Sequence, residues 1–492
     1  MAAAALEQEQ LHQAGVDGAA AASVSPPPPA AVRVLDTALV RPYSSAAGGP
    51  APPEETSLPL TFLDVMWLYT PPVQCLYFYR LAPDADVDAI LANLKASMSH
   101  AVRAFYPLAG HVRLIPGQLD TAAANRYELH YRPGDAVAFT VAEYDGDFAA
   151  GEPRDVAKIA PLAPPLPAGG ALLALQATLL SGRRGLVLGI TVHHAACDGT
   201  NATDFLHTWA AAAAGGGRTP PPPPVIDRTL ISDPGGRLYD LFFPVKRIPE
   251  RADDGLLFAT FILSKDQLQR VKDVVAAEAS ARGVAPPPRC STMVATLALA
   301  WSSYHRAGLR GGGGGAGNGG DRTCLLLPVD HRSRLNPPLP DKYFGNCIGA
   351  AFAVASRSEL AAEAGAGGLL AACAAIAAAI DDAVSGVATE TMGKRKARIM
   401  EVFATMDVLM VAGSARFRVY DLDMGFGRPE MADLVSVAKT NAIALNESPT
   451  GDGGMEAGVC LPPEGIDAFR KSFADAVAAL EPSESSIANG AQ

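Results

Sequence analysis

The sequence predicts an α/β protein built from two domains of similar size, on three observations. A chain of 492 residues exceeds what one compact core serves. Helical and strand patterns alternate in both halves, with no internal repeat. Between the halves lies AAAAGGGRTPPPPP, residues 211–224, whose glycines and proline run continue neither helix nor sheet. The expected divisions are an Ala/Pro-rich disordered tail (1–31), a first domain (32–210), a linker (211–235) and a second domain (236–492).

The elements follow in order. Residues 87–105 place Val87, Ile90, Leu91, Leu94, Met98 and Val102 on one helical face. The run LVLGITVH, 186–193, reads as a buried strand. Asn201 with Asp204 three residues later is a capping signal for a helix burying Phe205 and Trp209. In the second half, residues 256–263 read as a strand, and Ser264 with Gln267 forms a capping box for a helix carrying Leu268, Val271 and Val275. Ser291 caps another helix, with Val294, Leu297 and Trp301 inward. The glycine run 311–320 reads as a disordered loop. Strands are expected at 324–329, 347–354 and 417–422, and a meander at 434–438, 442–445 and 456–461. A last helix buries Ile466, Phe469, Phe473 and Val477.

Composition narrows the function. Apolar residues make up 49% of the chain and charged ones 18%, enough to build large cores. A net charge of -11 argues against nucleic acid, which binds clustered Lys and Arg, but permits a local basic pocket for an anionic ligand. The seven cysteines are widely spaced, with no CxxC pair, so no metal site is indicated and free thiols in a reducing compartment, the cytoplasm, are expected. The N-terminal stretch has acidic residues and no Lys or Arg, unlike a targeting peptide. No apolar run of about eighteen residues stands out, so no membrane span is expected.

The chemistry concentrates in TVHHAACDGT, residues 191–200. A strand delivers His193 and His194 to its end, where a loop can meet a ligand on a rigid support. A neutral imidazole near pH 7 can take a proton from a hydroxyl, worth about 10²–10⁴-fold in rate. Asp198 can lock the loop or the ring, and Gly199 is expected to allow the tight turn. The same residues fit a hydrogen-bonded strand end equally well. Cys197 offers a thiol nucleophile beside a histidine, but nothing around it in sequence would stabilise a thiolate.

HHxxxDG at residues 193–199 resembles the HxxxD signature of the plant BAHD acyltransferases. GSARFRVYDLDMGFGRP, 413–429, is similar to that family's DFGWG motif and its flanks. VDHRSRLNPPLPDKYFGNC, 329–347, resembles the YFGNC stretch of its anthocyanin and phenolic-glucoside branch. PLTFLDVMW (59–67) and GGMEAGVCL (453–461) are also similar, and the motifs stand in the family's order from about residue 32 to 480. HxxxD alone is a weak signal; the ordered set is specific.

The resemblance implies a chloramphenicol-acetyltransferase-like fold of mixed sheets and helices with a solvent channel between two domains. It makes residues 211–235 the crossover and lets a stretch near 422–443 pack back on the first domain. His194 becomes the general base, and acyl-CoA the co-substrate, with no permanently bound cofactor. A malonyl or hydroxycinnamoyl group then passes directly to a hydroxyl of a phenolic, flavonoid or anthocyanin glycoside, without an acyl-enzyme. Asp198 would turn away from substrate and pair with an arginine, for which Arg332 is the candidate. His193, one residue earlier, would face the other way and serve packing. Asp423, Gly425 and Gly427 keep the family's turn, while Met424 and Phe426 replace its Phe and Trp; this turn reads as structural. Tyr343, Phe344, Gly345 and Asn346 are channel-side candidates. Ser264, Lys265, Ser291 and Thr292, at expected helix starts, are candidates for coenzyme A phosphates. A monomer is expected. Two rivals share these motifs: a condensation domain fed by carrier proteins, and an inactive binding protein of the same fold. A malonyl carboxylate needs a cation, and the residues after Gly199 (Thr200, Asn201, Ala202) supply none.

Overall fold

The computed structural model describes residues 31–42, 53–115, 126–215, 217–243, 255–311, 320–362, 366–386 and 392–480. The expected tail and most of the glycine loop lie outside the described residues. One mixed sheet orders its six strands as Val32–Val40, Val137–Tyr144, Leu173–Leu179, Gly185–Val192, Val73–Arg80 and Met431–Leu434. A second runs Ile348–Ser356, Arg322–Asp330, Asp407–Gly413, Ala442–Glu447, Met455–Leu461, Leu257–Leu263 and Arg154–Asp155. Strands Thr56–Pro59, Tyr127–Tyr131 and His111–Leu114 form a small third sheet.

The two large sheets exchange their edges. Met431–Leu434, late in the chain, pairs antiparallel with Val73–Arg80, placing Met431 opposite Phe78 and Leu434 opposite Cys75. Arg154–Asp155, early in the chain, pairs with Leu257–Leu263 at Phe258 and Leu257. Arg154 and Asp433, one on each exchanged strand, form a buried bidentate pair with both N···O distances at 2.7 Å. Apolar residues of both sheets, among them Phe78, Val187, Phe258 and Cys460, share one core around this exchange with Val435 of the turn after Leu434.

The first sheet is covered by helices Val87–Ala104 and Gly199–Ala213. Trp209 locks them together, its Nε1 donating to Leu94 O and Ser97 Oγ, both at 3.1 Å. Helices Lys265–Ala281, Thr292–Arg306, Gly367–Gly386 and Pro463–Ala478 build the second core around Trp301 and Phe469. The Ser264 capping box and the Ser291 cap form as their sequences direct.

Several expectations need correction. Residues 417–422 form no strand: Ala415–Phe417 and Val419–Asp421 are single turns hinged at Arg418, whose φ of 51° no strand accommodates. The expected strand 434–438 is the end of Met431–Leu434 followed by the short helix Val437–Thr440. The helix after the histidines is capped by Asp198, not Asn201, and reaches Ala213, so residues 211–213 belong to it rather than to the linker. The strand Asp407–Gly413 and helices Gly367–Gly386 and Met392–Thr405 escaped the sequence reading. Gly367–Ser385 is long and apolar enough to cross a membrane by length and composition, contrary to expectation. Here half of it is buried, with Leu370, Cys373 and Ile376 in the second core.

Candidate active site

Strand Gly185–Val192 is buried throughout and paired on both sides, with Val192 opposite Val73 and Leu173. His193 N still donates to Leu172 O at 2.9 Å, and Ala196 N closes a turn onto His193 O. The histidines therefore stand where the strand ends and a four-residue loop leads into helix Gly199–Ala213. The His193 ring folds back into that loop, its Nδ1 accepting from Ala195 N at 3.2 Å. The half-buried His194 ring lies flat on Trp67, with centroids 4.0 Å apart and planes within 8°. Its carbonyl accepts from Asn346 Nδ2 at 3.0 Å. Burial holds the pKa of both histidines down to about 4, so each ring is neutral at pH 7, the His193 lone pair being taken by Ala195 N.

Asp198 directs its carboxylate into the protein. Oδ1 accepts from Asn201 N at 3.3 Å; Oδ2 accepts from Cys347 N at 3.0 Å and meets Arg332 Nη2 at 2.9 Å. Burial pushes the carboxyl above its usual range, against the pull of Arg332 and the two backbone N–H groups. Arg332 is 2% exposed and donates also to Asn201 Oδ1, Tyr343 O and Gly345 O. Asp198 thus shapes the loop rather than touching the imidazole.

A second buried pair flanks the first. Asp64 accepts from Arg228 Nη1 at 2.7 Å and from Asn346 N and Nδ2 at 2.9 and 3.1 Å. Arg228 Nη2 reaches Ala196 O inside the histidine loop at 3.2 Å. Gly345, at φ +147°, is required here because a Cβ would lie 2.0 Å from Arg228 Nη1. Gly199 has a different reason from the one expected: its φ is not positive, and a Cβ would strike the Phe417 ring at 2.6 Å. Trp67, Asp64, Arg228 and Asn201 are the site residues that sequence reasoning missed. The similarity at 59–67 contained the first two, Asn201 was read as a cap, and Arg228 had no local signal.

The family model described as the Transferase family matches residues 47–476. The chain belongs to this family. It is 32% identical to phenolic glucoside malonyltransferase 1 of Arabidopsis thaliana over 90% of this chain and 97% of that protein. It is 31% identical to malonyl-CoA:anthocyanidin 5-O-glucoside-6''-O-malonyltransferase of the same plant, over 90% of this chain and 98% of that protein. With relatives so named, the protein is an acyltransferase. Among solved structures, vinorine synthase has a similar fold, with a TM-score of 0.63 at 19% identity over 89% of this chain and 96% of that one.

The remaining BAHD-type positions separate into those near His194 and those apart from it. Tyr343, Phe344, Gly345 and Asn346 do not line open space; they are buried, the two aromatic rings within the first core. The loop folds inward because Asn201 and Arg332 gather its carbonyls, and Asn346 alone of the four reaches His194. Asp423 Oδ1 accepts from Gly425 N and Gly427 N, at 2.9 and 3.2 Å, closing a turn whose glycines have φ +88° and +126°. A Cβ on Gly425 would lie 2.9 Å from Ala213 O, so this turn packs on the end of the helix that begins at the histidine loop. Ser264 and Ser291 use their hydroxyls as caps, accepting from Gln267 N and Val294 N; Lys265 is exposed at one helix start and Thr292 half-buried at the other. Burial pushes the Cys197 thiol far above its usual range, the opposite of an activated nucleophile.

Proposed function

We propose that the protein moves a malonyl group from malonyl-CoA to a sugar hydroxyl of a phenolic, flavonoid or anthocyanin glycoside, with His194 as general base. The carrying observation is the neutral His194 ring, flat on Trp67, in a loop held by two buried arginine–carboxylate pairs. The lone pair of His194 takes the hydroxyl proton as the acceptor oxygen attacks the thioester carbonyl. The tetrahedral intermediate collapses, the carbon–sulfur bond breaks, and the imidazolium returns its proton to the coenzyme A thiolate. The unactivated Cys197 supports direct transfer over an acyl-enzyme. The names of the two malonyltransferase relatives favour this donor and acceptor. All seven cysteines are free thiols, which supports work in the reducing cytoplasm.

The test is release of free thiol on mixing the protein with malonyl-CoA and a phenolic glucoside, with the acylated product identified by mass. Turnover with coumaroyl-CoA in place of malonyl-CoA would replace the donor. Glucoside binding without thiol release from any acyl-CoA would make the protein a binding protein of this fold.

A further inference from the structure

Two of the seven thiols meet in the second domain, where Cys290 Sγ lies 3.7 Å from Cys373 Sγ across 83 residues of chain. Their surroundings differ. Cys373, on helix Gly367–Gly386, is fully buried in the second core. Its hydrogen bond to Cys290 and its burial push that thiol far up, so it keeps its proton. Cys290 is half-buried on an otherwise exposed loop, one residue before the Ser291 cap of helix Thr292–Arg306. The N–H groups of that helix start favour a negative sulfur. So does the ammonium of Lys272, which donates to Thr292 Oγ1 at 3.5 Å beside it. The hydrogen bond from Cys373, with Lys272 nearby, lowers the Cys290 thiol to about 7 against the effect of burial. At Cys75, Cys324 and Cys347 burial instead pushes the thiol up, as it does at Cys197.

The two sulfurs are kept together by more than their own contact. Arg289 Nε meets Asp381 Oδ1 at 3.3 Å, tying the same loop to the same helix one residue earlier. Pro286, Pro287 and Pro288 stiffen the approach to it. A disulfide needs a separation of about 2.0 Å, and the loop that carries Cys290 lies outside both helices and is the part that can move. We propose that Cys290 and Cys373 are a modification site, a dithiol that a peroxide converts to a disulfide, with Cys290 attacking the peroxide and Cys373 closing the bond. The Cys290 thiolate attacks one oxygen of hydrogen peroxide, and the O–O bond breaks. A sulfenic acid forms, and the second oxygen leaves as water with the proton the thiol had released. The Cys373 sulfur then attacks the Cys290 sulfur, its proton and the hydroxyl leaving as a second water. Two electrons pass from the two thiols to the peroxide. The new bond ties the start of helix Thr292–Arg306 to helix Gly367–Gly386 and closes a long loop, which restricts the unfolded chain.

Each cysteine is alone in its tryptic peptide, residues 290–306 and 358–394. Full-length protein is treated with a few equivalents of hydrogen peroxide, its remaining thiols are blocked with iodoacetamide, and it is digested without reduction. Mass spectra should show the two peptides linked, and separated again by dithiothreitol. In Cys373→Ala, dimedone, which captures sulfenic acids, should label Cys290. In Cys290→Ala, peptide 358–394 should stay alkylated as in untreated protein. The wild-type link should raise the melting temperature by several degrees, reversed by dithiothreitol. All seven thiols still alkylated after peroxide would overturn the proposal, as would a link that forms first between other cysteines. Dimedone on Cys373 in Cys290→Ala, with none on Cys290 in Cys373→Ala, would overturn the order of attack. A link that left the melting temperature unchanged or lowered it would mean that the thiols join only in a distorted fold, and the site would fall. The wild-type measurements need neither variant to fold.

Discussion

Asp198 with Arg332 in the histidine loop, and Arg154 with Asp433 at the exchanged strands, are two buried ion pairs in unlike surroundings. Arg332 reaches past its carboxylate to the Tyr343 and Gly345 carbonyls and to Asn201, so it dictates the course of a loop. Arg154 gives Nε and Nη2 to Asp433 and donates also to Thr260, Glu152 O and Met431, so it joins one exchanged strand to the other. Titration separates the regions again. The histidines of the loop are held neutral, while Glu456, beside Tyr420, Asp433 and Glu447, is pushed by burial to about 8 and keeps its proton. One region carries neutral imidazoles at a strand end; the other holds two sheets together.

The sharpest division should come from His194→Ala, which lowers turnover by at least about 10²-fold while the melting temperature stays near wild type. Steady-state rates and a thermal melt check it, and near-normal turnover would remove the loop from the chemistry. Arg154→Ala or Asp433→Ala should do the reverse, costing roughly 3–5 kcal/mol in urea unfolding because each strands a buried charge, with turnover per folded molecule little changed. Asp198→Ala and Arg332→Ala should lower both quantities. Each double variant should lose less than the sum of its singles, and strict additivity in either cycle would mean that pair does not interact.

The pH responses of the two regions oppose one another. His193 and His194 bind protons in the unfolded chain from about pH 6.5 but in the fold only near 4, so they lower stability as pH falls through that window. Turnover limited by His194 should hold down to about pH 5 and fall through about 4. Glu456 is protonated in the fold up to about 8 and ionises near 4.5 when unfolded, so its contribution is lost as pH rises between them. Glu456→Gln should gain stability over wild type as pH rises through that range, seen in urea melts; a constant difference would deny the shift. The smallest effects belong to Cys197→Ala, with turnover within about twofold, and His193→Ala, costing about 1 kcal/mol for one turn hydrogen bond. A covalent acyl adduct on Cys197 in intact-protein mass spectra would reverse the first expectation.

What could be read in advance was local. The run LVLGITVH needs only its own residues to read as a buried strand, and Ser264 and Ser291 need only the next turn to act as caps. The DHRSR stretch carried Arg332 because a family resemblance supplied its partner. Helix Gly367–Gly386 escaped because a run of alanines, apolar on every side, shows no 3.6-residue stripe. The strand expected at 434–438 meets MADL only at Leu434, because a four-residue strand leaves too little periodicity to mark its bounds.

By itself, then, the sequence determined an α/β chain, the helix caps at Ser264 and Ser291, the buried strand before the histidines and a histidine set at its end, since each depends on residues within a few turns. Tertiary structure alone decided that Trp67 lies under the imidazole, that Phe417 forbids a side chain at residue 199, and that Asp64 and Arg228 grip Asn346 from distant segments. It also decided that Arg154–Asp155, from the first half, forms the edge of the second sheet. Propensity and capping act through covalent neighbours, whereas a buried charge or a stacked ring takes whichever partner the packing of remote segments brings within about 4 Å.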